Sequence, residues 1–244
     1  SIGIQCFDDT MLQRIGRRHT ARQAIEAVQT AQRTGFDNIS IDLIYGLPGQ
    51  TMEHWKQQVA TALSLGVQHI STYCLMLEPS TPLGQQLEAG TIREVDEDTE
   101  NNMYDYICEA TNAKGYNHYE ISNFALAGRE SKHNSSYWNG TPYIGLGAGA
   151  HSYDSHSRQW NKPDLEAYLK SRPFEVEELS EQDLYNEHIM LSLRTARGLN
   201  KEAVDEKKTG PWIERGYLIQ TDNAYIATRE GQHILNTIIE DLMI

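Results

Sequence analysis

Along the first third of the chain, apolar residues switch between a period of two and a period near 3.6. "SIGIQCF" reads as a strand, with Ile2, Ile4 and Cys6 on one side and Gly3 and Gln5 on the other. Thr20 then opens a helix with a capping box closed by Gln23; Ala24, Ile25, Val28 and Ala31 form its apolar stripe, and Gly35 ends it. "NISIDLI" is a second strand, followed by the tight turn "YGLPGQ" and a helix from Thr51 whose Met52, Trp55, Val59 and Leu63 share a face. After Gly66 comes a third strand, "HISTYCLM". Short connections between these elements predict parallel βαβ units. A β-rich run that begins at the first residue, with no turn or cap before it, reads as a strand entered partway through a fold.

Residues 78–90 are loop-like, a helix is predicted from Asp96, and "YNHYEIS" continues the βα rhythm as a fourth strand. Residues 123–161 turn irregular and glycine-rich. Beyond them "SEQDLYNEHIMLSLRTARG" is a capped helix, "GLNKEAV" and "GPWIERG" look helical, "YLIQTDNAYIAT" is a hairpin around Asp222 and Asn223, and a terminal helix follows. That order is winged-helix-like. The pattern as a whole predicts an α/β chain in two units.

Composition narrows the function. With 21 Lys+Arg against 34 Asp+Glu and a net charge of −13, the chain is a poor partner for nucleic acid. Acidic residues also outnumber basic ones after Phe174, which makes the winged-helix-like part a packing or partner domain. No run is long and apolar enough for a membrane span, and the first residues lack a signal-peptide pattern, so a cytoplasmic protein is expected. Cys6, Cys74 and Cys108 have no CxxC or CxxxC spacing; buried free thiols are expected.

Asp42 falls where a parallel strand is usually apolar, and it needs a cation, hydroxyls or a ligand. With Gln5 and Arg17 it forms a set that would bind an amino-acid carboxylate and ribose hydroxyls, or else an internal Asp–Arg pair. "YIGLGAGA" contains G-x-G-x-x-A but no apolar-periodic helix follows, so close backbone packing or approach to a flat ligand is the better reading. "GLPGQT" lacks the ending of a phosphate loop. In "SKHNSSYWNG", His133 is a candidate axial iron ligand, with Tyr137 and Trp138 against a porphyrin face and Asn134 holding the tautomer or the loop; a solvated loop histidine is the alternative. His151, Asp154 and His156 fit no zinc spacing.

Read in order, "SIGIQCFDD", "RIGRRHT", "ISIDLIYGLPGQT", "YEISNFA", "HNSSYW" and "GAGAHSY" resemble the oxygen-independent coproporphyrinogen III oxidase-like family of radical S-adenosylmethionine (SAM) proteins, and "HNSSYW" resembles its haem chaperone branch. The resemblance implies the C-terminal part of a partial (β/α), TIM-like radical SAM barrel with its glycine-rich extension over residues 1–172, then a winged-helix-like domain over 173–244. It implies S-adenosylmethionine at Gln5, Arg17 and Asp42, and haem at His133, Asn134, Tyr137 and Trp138, with His133 the candidate iron ligand. The family's CxxxCxxC segment is absent here, so a [4Fe–4S] cluster is expected only in the complete protein, and no catalytic residue is assigned. The implied function is haem binding and delivery to acceptor proteins. Alternatives are oxidative decarboxylation of coproporphyrinogen and a non-catalytic α/β binding module. An open barrel edge at the first strand would favour self-association.

Overall fold

The computed structural model describes residues 1–244 and divides into two compact units, Ser1–Glu130 and Ser131–Ile244. The first runs β1 (Ile2–Gln5), α1 (Asp9–Arg14), α2 (Ala21–Arg33), β2 (Ser40–Tyr45), α3 (Met52–Ser64), β3 (His69–Cys74), α4 (Pro82–Glu88), α5 (Glu97–Asn112), β4 (Asn117–Glu120) and β5 (Asn123–Ala125). Its helix starts follow local chemistry. The Thr20 hydroxyl accepts from the Gln23 amide while the Gln23 side chain accepts from the Thr20 amide, and the Thr51 and Asp96 side chains cap α3 and α5 by accepting from the His54 and Thr99 amides.

The sheet order is β1-β2-β3-β5-β4. β1, β2 and β3 are parallel, as the βαβ rhythm predicts. β5 departs from that rhythm: it turns back after a two-residue turn and inserts between β3 and β4, antiparallel to both. The sheet is therefore open and mixed rather than a run of four parallel strands. A second difference is α4, where a loop was expected; Thr81 caps it and Pro82 sits in its first turn, where a missing N–H costs nothing. β1 lies at the sheet edge, and a ring nitrogen of His19 lies 3.1 Å from its Ile4 carbonyl.

One face of this sheet is sealed. Ile41, Leu43, Ile70 and Phe124 pack with Trp55 and Val59 of α3 and Met103 and Ile107 of α5, all fully buried. Trp55 centres the layer: its ring lies 5.6 Å from that of Tyr45 and its Nε1 donates to the Met103 carbonyl at 2.7 Å.

The second unit runs α6 (Lys132–Trp138), β6 (His151–Tyr153), β7 (Ser157–Asn161), α7 (Leu165–Ser171), β8 (Phe174–Glu178), α8 (Glu181–Leu193), β9 (Leu199–Asn200), a 3₁₀ turn (Lys201–Ala203), α9 (Glu206–Glu214), β10 (Leu218–Gln220), β11 (Ala224–Ala227), α10 (Arg229–His233) and α11 (Leu235–Leu242). Two antiparallel sheets, β6-β7-β8 and β10-β11-β9, form in a stretch whose first part was expected to be irregular. "GLNKEAV" gives a short strand and a 3₁₀ turn rather than a helix. Ile189, Leu193, Trp212, Tyr225, Ile238 and Leu242 are buried where α8, α9, β11 and α11 meet. β8 pairs with β7 and so joins the segments on either side of residue 172. A domain division there rests on family likeness rather than on compactness. No helix is long and apolar enough to cross a membrane.

Because Trp55 fills the centre of the sealed face, Trp55→Ala is expected to lower unfolding stability by about 3–5 kcal/mol in urea titrations, and Trp55→Phe by clearly less. Equal losses in the two variants would show that the Nε1 bond, not the packing, is what counts.

Candidate functional site

The face of the first sheet away from the helices is polar, and strand register explains why. Gly3 pairs with Asp42, Asp42 with Ser71, Ser71 with Asn123, and Asn123 with Glu120, so one row crosses all five strands. Residues opposite one another in a sheet share a face. The neighbouring row, Ile2, Ile41, Ile70 and Phe124, faces the helices.

Two of the residues singled out in the sequence meet in this row. Asp42 is half-buried and accepts from the Ser1 hydroxyl at 3.3 Å. Gln5 is buried, and its amide lies over Gly3, where an added methyl would sit 2.8 Å from Nε2 and 4.0 Å from an Asp42 oxygen. Gln5 holds this position with φ of 68°, beside a bulge in the β1–β2 pairing, a conformation that is strained for a residue with a side chain. Arg17 is exposed on the loop after α1, and no ion pair joins it to Asp42, so the internal Asp–Arg alternative is not formed. A carboxylate for hydroxyls, an amide and a free guanidinium fit the donor and acceptor set of S-adenosylmethionine.

Sequence reasoning missed the far half of the row. Glu120 is 2% exposed, and neither of its oxygens has a hydrogen-bond partner. Burial pushes its carboxyl from 4.5 up to about 7; Asn123 and the Ser122 amide lie close enough to offset part of that rise without reaching hydrogen-bonding geometry. The Asn123 Oδ1 is also unpartnered. Beside them, buried His69 touches the Ser40 hydroxyl through Nδ1 and the Tyr119 hydroxyl through Nε2, each at 2.8 Å, and burial lowers its pKa against the pull of Asp42 and Glu130. Period two in "HISTYC" is the signal that sets His69 and Ser71 on one face, and the β2–β3 register makes it the Asp42 face. Glu120 could not be placed from sequence, because a bulge between His118 and Glu120 breaks the alternation.

In the second unit, the "HNSSYW" segment is a short helix, α6, capped by Ser131, with no buried residue. His133 and Tyr137 lie one turn apart with rings perpendicular at 5.0 Å. Tyr137 meets Tyr143 at 4.9 Å, and Tyr143 meets Tyr153 at 6.0 Å, which makes a four-ring ladder that begins at an exposed imidazole. Asn134 receives the Ser131 cap through its backbone amide, a role in holding the helix start. Trp138, half-buried, points elsewhere, into the wall of a cleft. An exposed imidazole flanked by aromatic rings fits a flat iron-bearing ligand. Within the glycine loop Gly145 packs closely, since a methyl there would lie 2.1 Å from the His151 carbonyl. Asp154 accepts from the His156 and Ser157 amides, a hairpin turn rather than a metal ligand.

The three thiols do not suit an iron–sulfur cluster. Cys6 and Cys108 are buried, and burial pushes the thiols of Cys6 and Cys74 up to about 11 and about 12, away from the thiolate form a cluster needs.

Residues 1–61 match the Radical SAM superfamily. The protein of Bacillus subtilis (strain 168) named "Heme chaperone HemW" is 34% identical over 255 residues, covering 98% of this chain and 67% of that protein. This chain belongs to the HemW family. A HemW relative from Lactococcus lactis is 42% identical over 211 residues, covering 85% of this chain. The chain spans 56% of the length of that lactococcal HemW. Among solved structures, one described as "Coproporphyrinogen III oxidase (HemN) from Escherichia coli is a Radical SAM enzyme" matches with a TM-score of 0.78 at 17% identity, covering 99% of this chain and 63% of that one. That likeness establishes a shared α/β fold. Membership of the radical SAM superfamily implies S-adenosylmethionine and a [4Fe–4S] cluster.

Glu120 gives a measurable pH dependence. A carboxyl whose folded pKa is raised stabilises the fold fully below its unfolded value, and that contribution is lost as pH rises from 4.5 to about 7. Between pH 4 and pH 8 the chain is therefore expected to lose about 3 kcal/mol through this group, a loss that Glu120→Gln removes. Parallel stability–pH curves for the two proteins, measured by urea unfolding, would show that Glu120 titrates normally.

Proposed function

We propose that this chain is the S-adenosylmethionine- and haem-binding portion of a haem chaperone that delivers haem to acceptor proteins in the cytoplasm. The observation that carries this reading is the exposed His133 imidazole at the head of an aromatic ladder, in a chain whose curated relatives bear the name heme chaperone. His133 would take the iron, Tyr137 would stack on the ring, Trp138 would meet the bound haem from the wall of the cleft, and Asn134 would hold the helix start. In the first unit, Asp42 would accept ribose hydroxyls, Arg17 would take the methionine carboxylate, and Gln5 would close the site beside Gly3. The [4Fe–4S] cluster would be held by the complete protein outside this chain.

On the same reading, residues 1–172 are the latter part of a partial radical SAM barrel and its extension, and 173–244 a winged-helix-like domain. Support for the latter is the order helix, strand, helix and antiparallel hairpin from α8 to β11. The acidic net charge disfavours nucleic acid, and self-association through the β1 edge belongs to the proposal. The fold likeness to a coproporphyrinogen oxidase favours one rival, oxidative decarboxylation, which would show as CO₂ released from coproporphyrinogen by the complete protein.

Haem titration of the complete protein, followed in the Soret band, is expected to weaken at least about tenfold in His133→Ala and in the Tyr137→Ala/Trp138→Ala pair. Unchanged titrations in both would remove α6 from the haem site. Asp42→Ala and Arg17→Ala are each expected to weaken S-adenosylmethionine binding by about tenfold in calorimetry, with the urea midpoint unchanged. Wild-type affinity in both would make the polar row purely structural.

A further inference from the structure

The cleft entered by Trp138 has a volume of about 560 Å³ and lies entirely within the second unit. Trp138, Tyr153, Leu184 and Leu191 give it an apolar lining, and α8 and the turn after it supply His188 and Arg197. Its volume suits an organic molecule or part of one rather than a lone inorganic ion.

Charge decides what kind. The one carboxylate in the lining, Glu187, is committed to Arg158 at 2.7 Å and is only 16% exposed. Arg197 has no carboxylate partner. Its Nη1 donates to the Asn139 side chain at 2.8 Å, and this bond holds the guanidinium against the C-terminal end of α6. In a chain of net charge −13, such a lone guanidinium beside aromatic and aliphatic walls is a local site for an organic anion. Asn139 follows His133 by six residues, about 9 Å along a helix axis. That is the order of the reach from the centre of a porphyrin to its carboxylate arms.

We propose that this cleft receives a carboxylate arm of the bound tetrapyrrole, with Arg197 as the anion-binding group and Trp138 and Tyr153 as its apolar wall. The proposal rests on the haem reading above and adds an orientation to it. The iron at the ring's centre meets His133, while the ring's acidic edge is turned over the end of α6 into the cleft. Arg197 then selects for tetrapyrroles with free carboxylates, and a neutral ester of the same ring is rejected.

The test compares haem with its dimethyl ester on the complete protein by Soret titration, for the wild type, Arg197→Ala, Arg197→Lys and Leu191→Trp. The wild type is expected to prefer haem over the ester by about tenfold or more. Arg197→Ala should lose that preference, binding haem as weakly as the ester. Arg197→Lys should regain part of it, and Leu191→Trp, which fills the cleft, should weaken haem binding with Arg197 intact. If the wild type binds both forms equally, or if the Arg197 variants discriminate as the wild type does, the cleft is not the acid-binding site. That result leaves the haem reading standing as long as His133→Ala still weakens haem. A wild type that binds neither form overturns the haem reading itself. Should Arg197→Ala fold poorly, the wild-type ester comparison and Arg197→Lys decide the matter alone.

Discussion

Strand pairing in register is the constraint on which the first unit depends. Once Ile41 and Ile70 are turned toward α3 and α5, the alternation of the backbone forces Asp42 and Ser71 to the opposite face, and the pairing carries that choice across to Asn123 and Glu120. Polarity on that face is therefore not scattered but lined up. The sealed face holds the strands in place, with Trp55 at its centre, and the other face is left with groups that the fold does not satisfy. A carboxyl with no hydrogen-bond partner and 2% exposure destabilises the chain at neutral pH and above. Such a group is found where a ligand or a proton is handled more often than where packing alone is at stake.

The second unit works differently. Its helix α6 buries nothing, so it is held by its Ser131 cap, by ring contacts and by the Arg197–Asn139 bond rather than by a core. Aromatic side chains left at the surface in this way keep their faces available for a flat partner. Gly145 behind them serves close packing, since its backbone runs against that of His151.

Much of this was legible in the sequence because it is local. Thr20, Thr51 and Asp96 mark helix starts through contacts spanning three residues, and the two-residue period of "SIDLIY" assigns Asp42 its face without any knowledge of neighbouring strands. What was not legible depends on partners distant in sequence or on segments too short to show a period. β5 has three residues, α4 and α6 have seven each, and none carries an apolar stripe long enough to declare itself. The candidate haem ligand was found by motif, but the ring ladder behind it needs Tyr143 and Tyr153 to be brought together by a bridge between them. Glu120 lay hidden behind a bulge, and the cleft's Arg197 behind a separation of 58 residues from Asn139.

Gln5 stands in a backbone conformation that glycine adopts freely and glutamine does not. At that one position the residue the chain would choose for comfort and the residue that lays an amide over Gly3 are different residues. On the proposed reading of Gln5 as a binding residue, stability and ligand recognition compete for a single position at the end of β1. A redesign of this protein toward greater robustness would be drawn to that site first, and under the proposed role of Gln5 it would exchange binding for hardiness there.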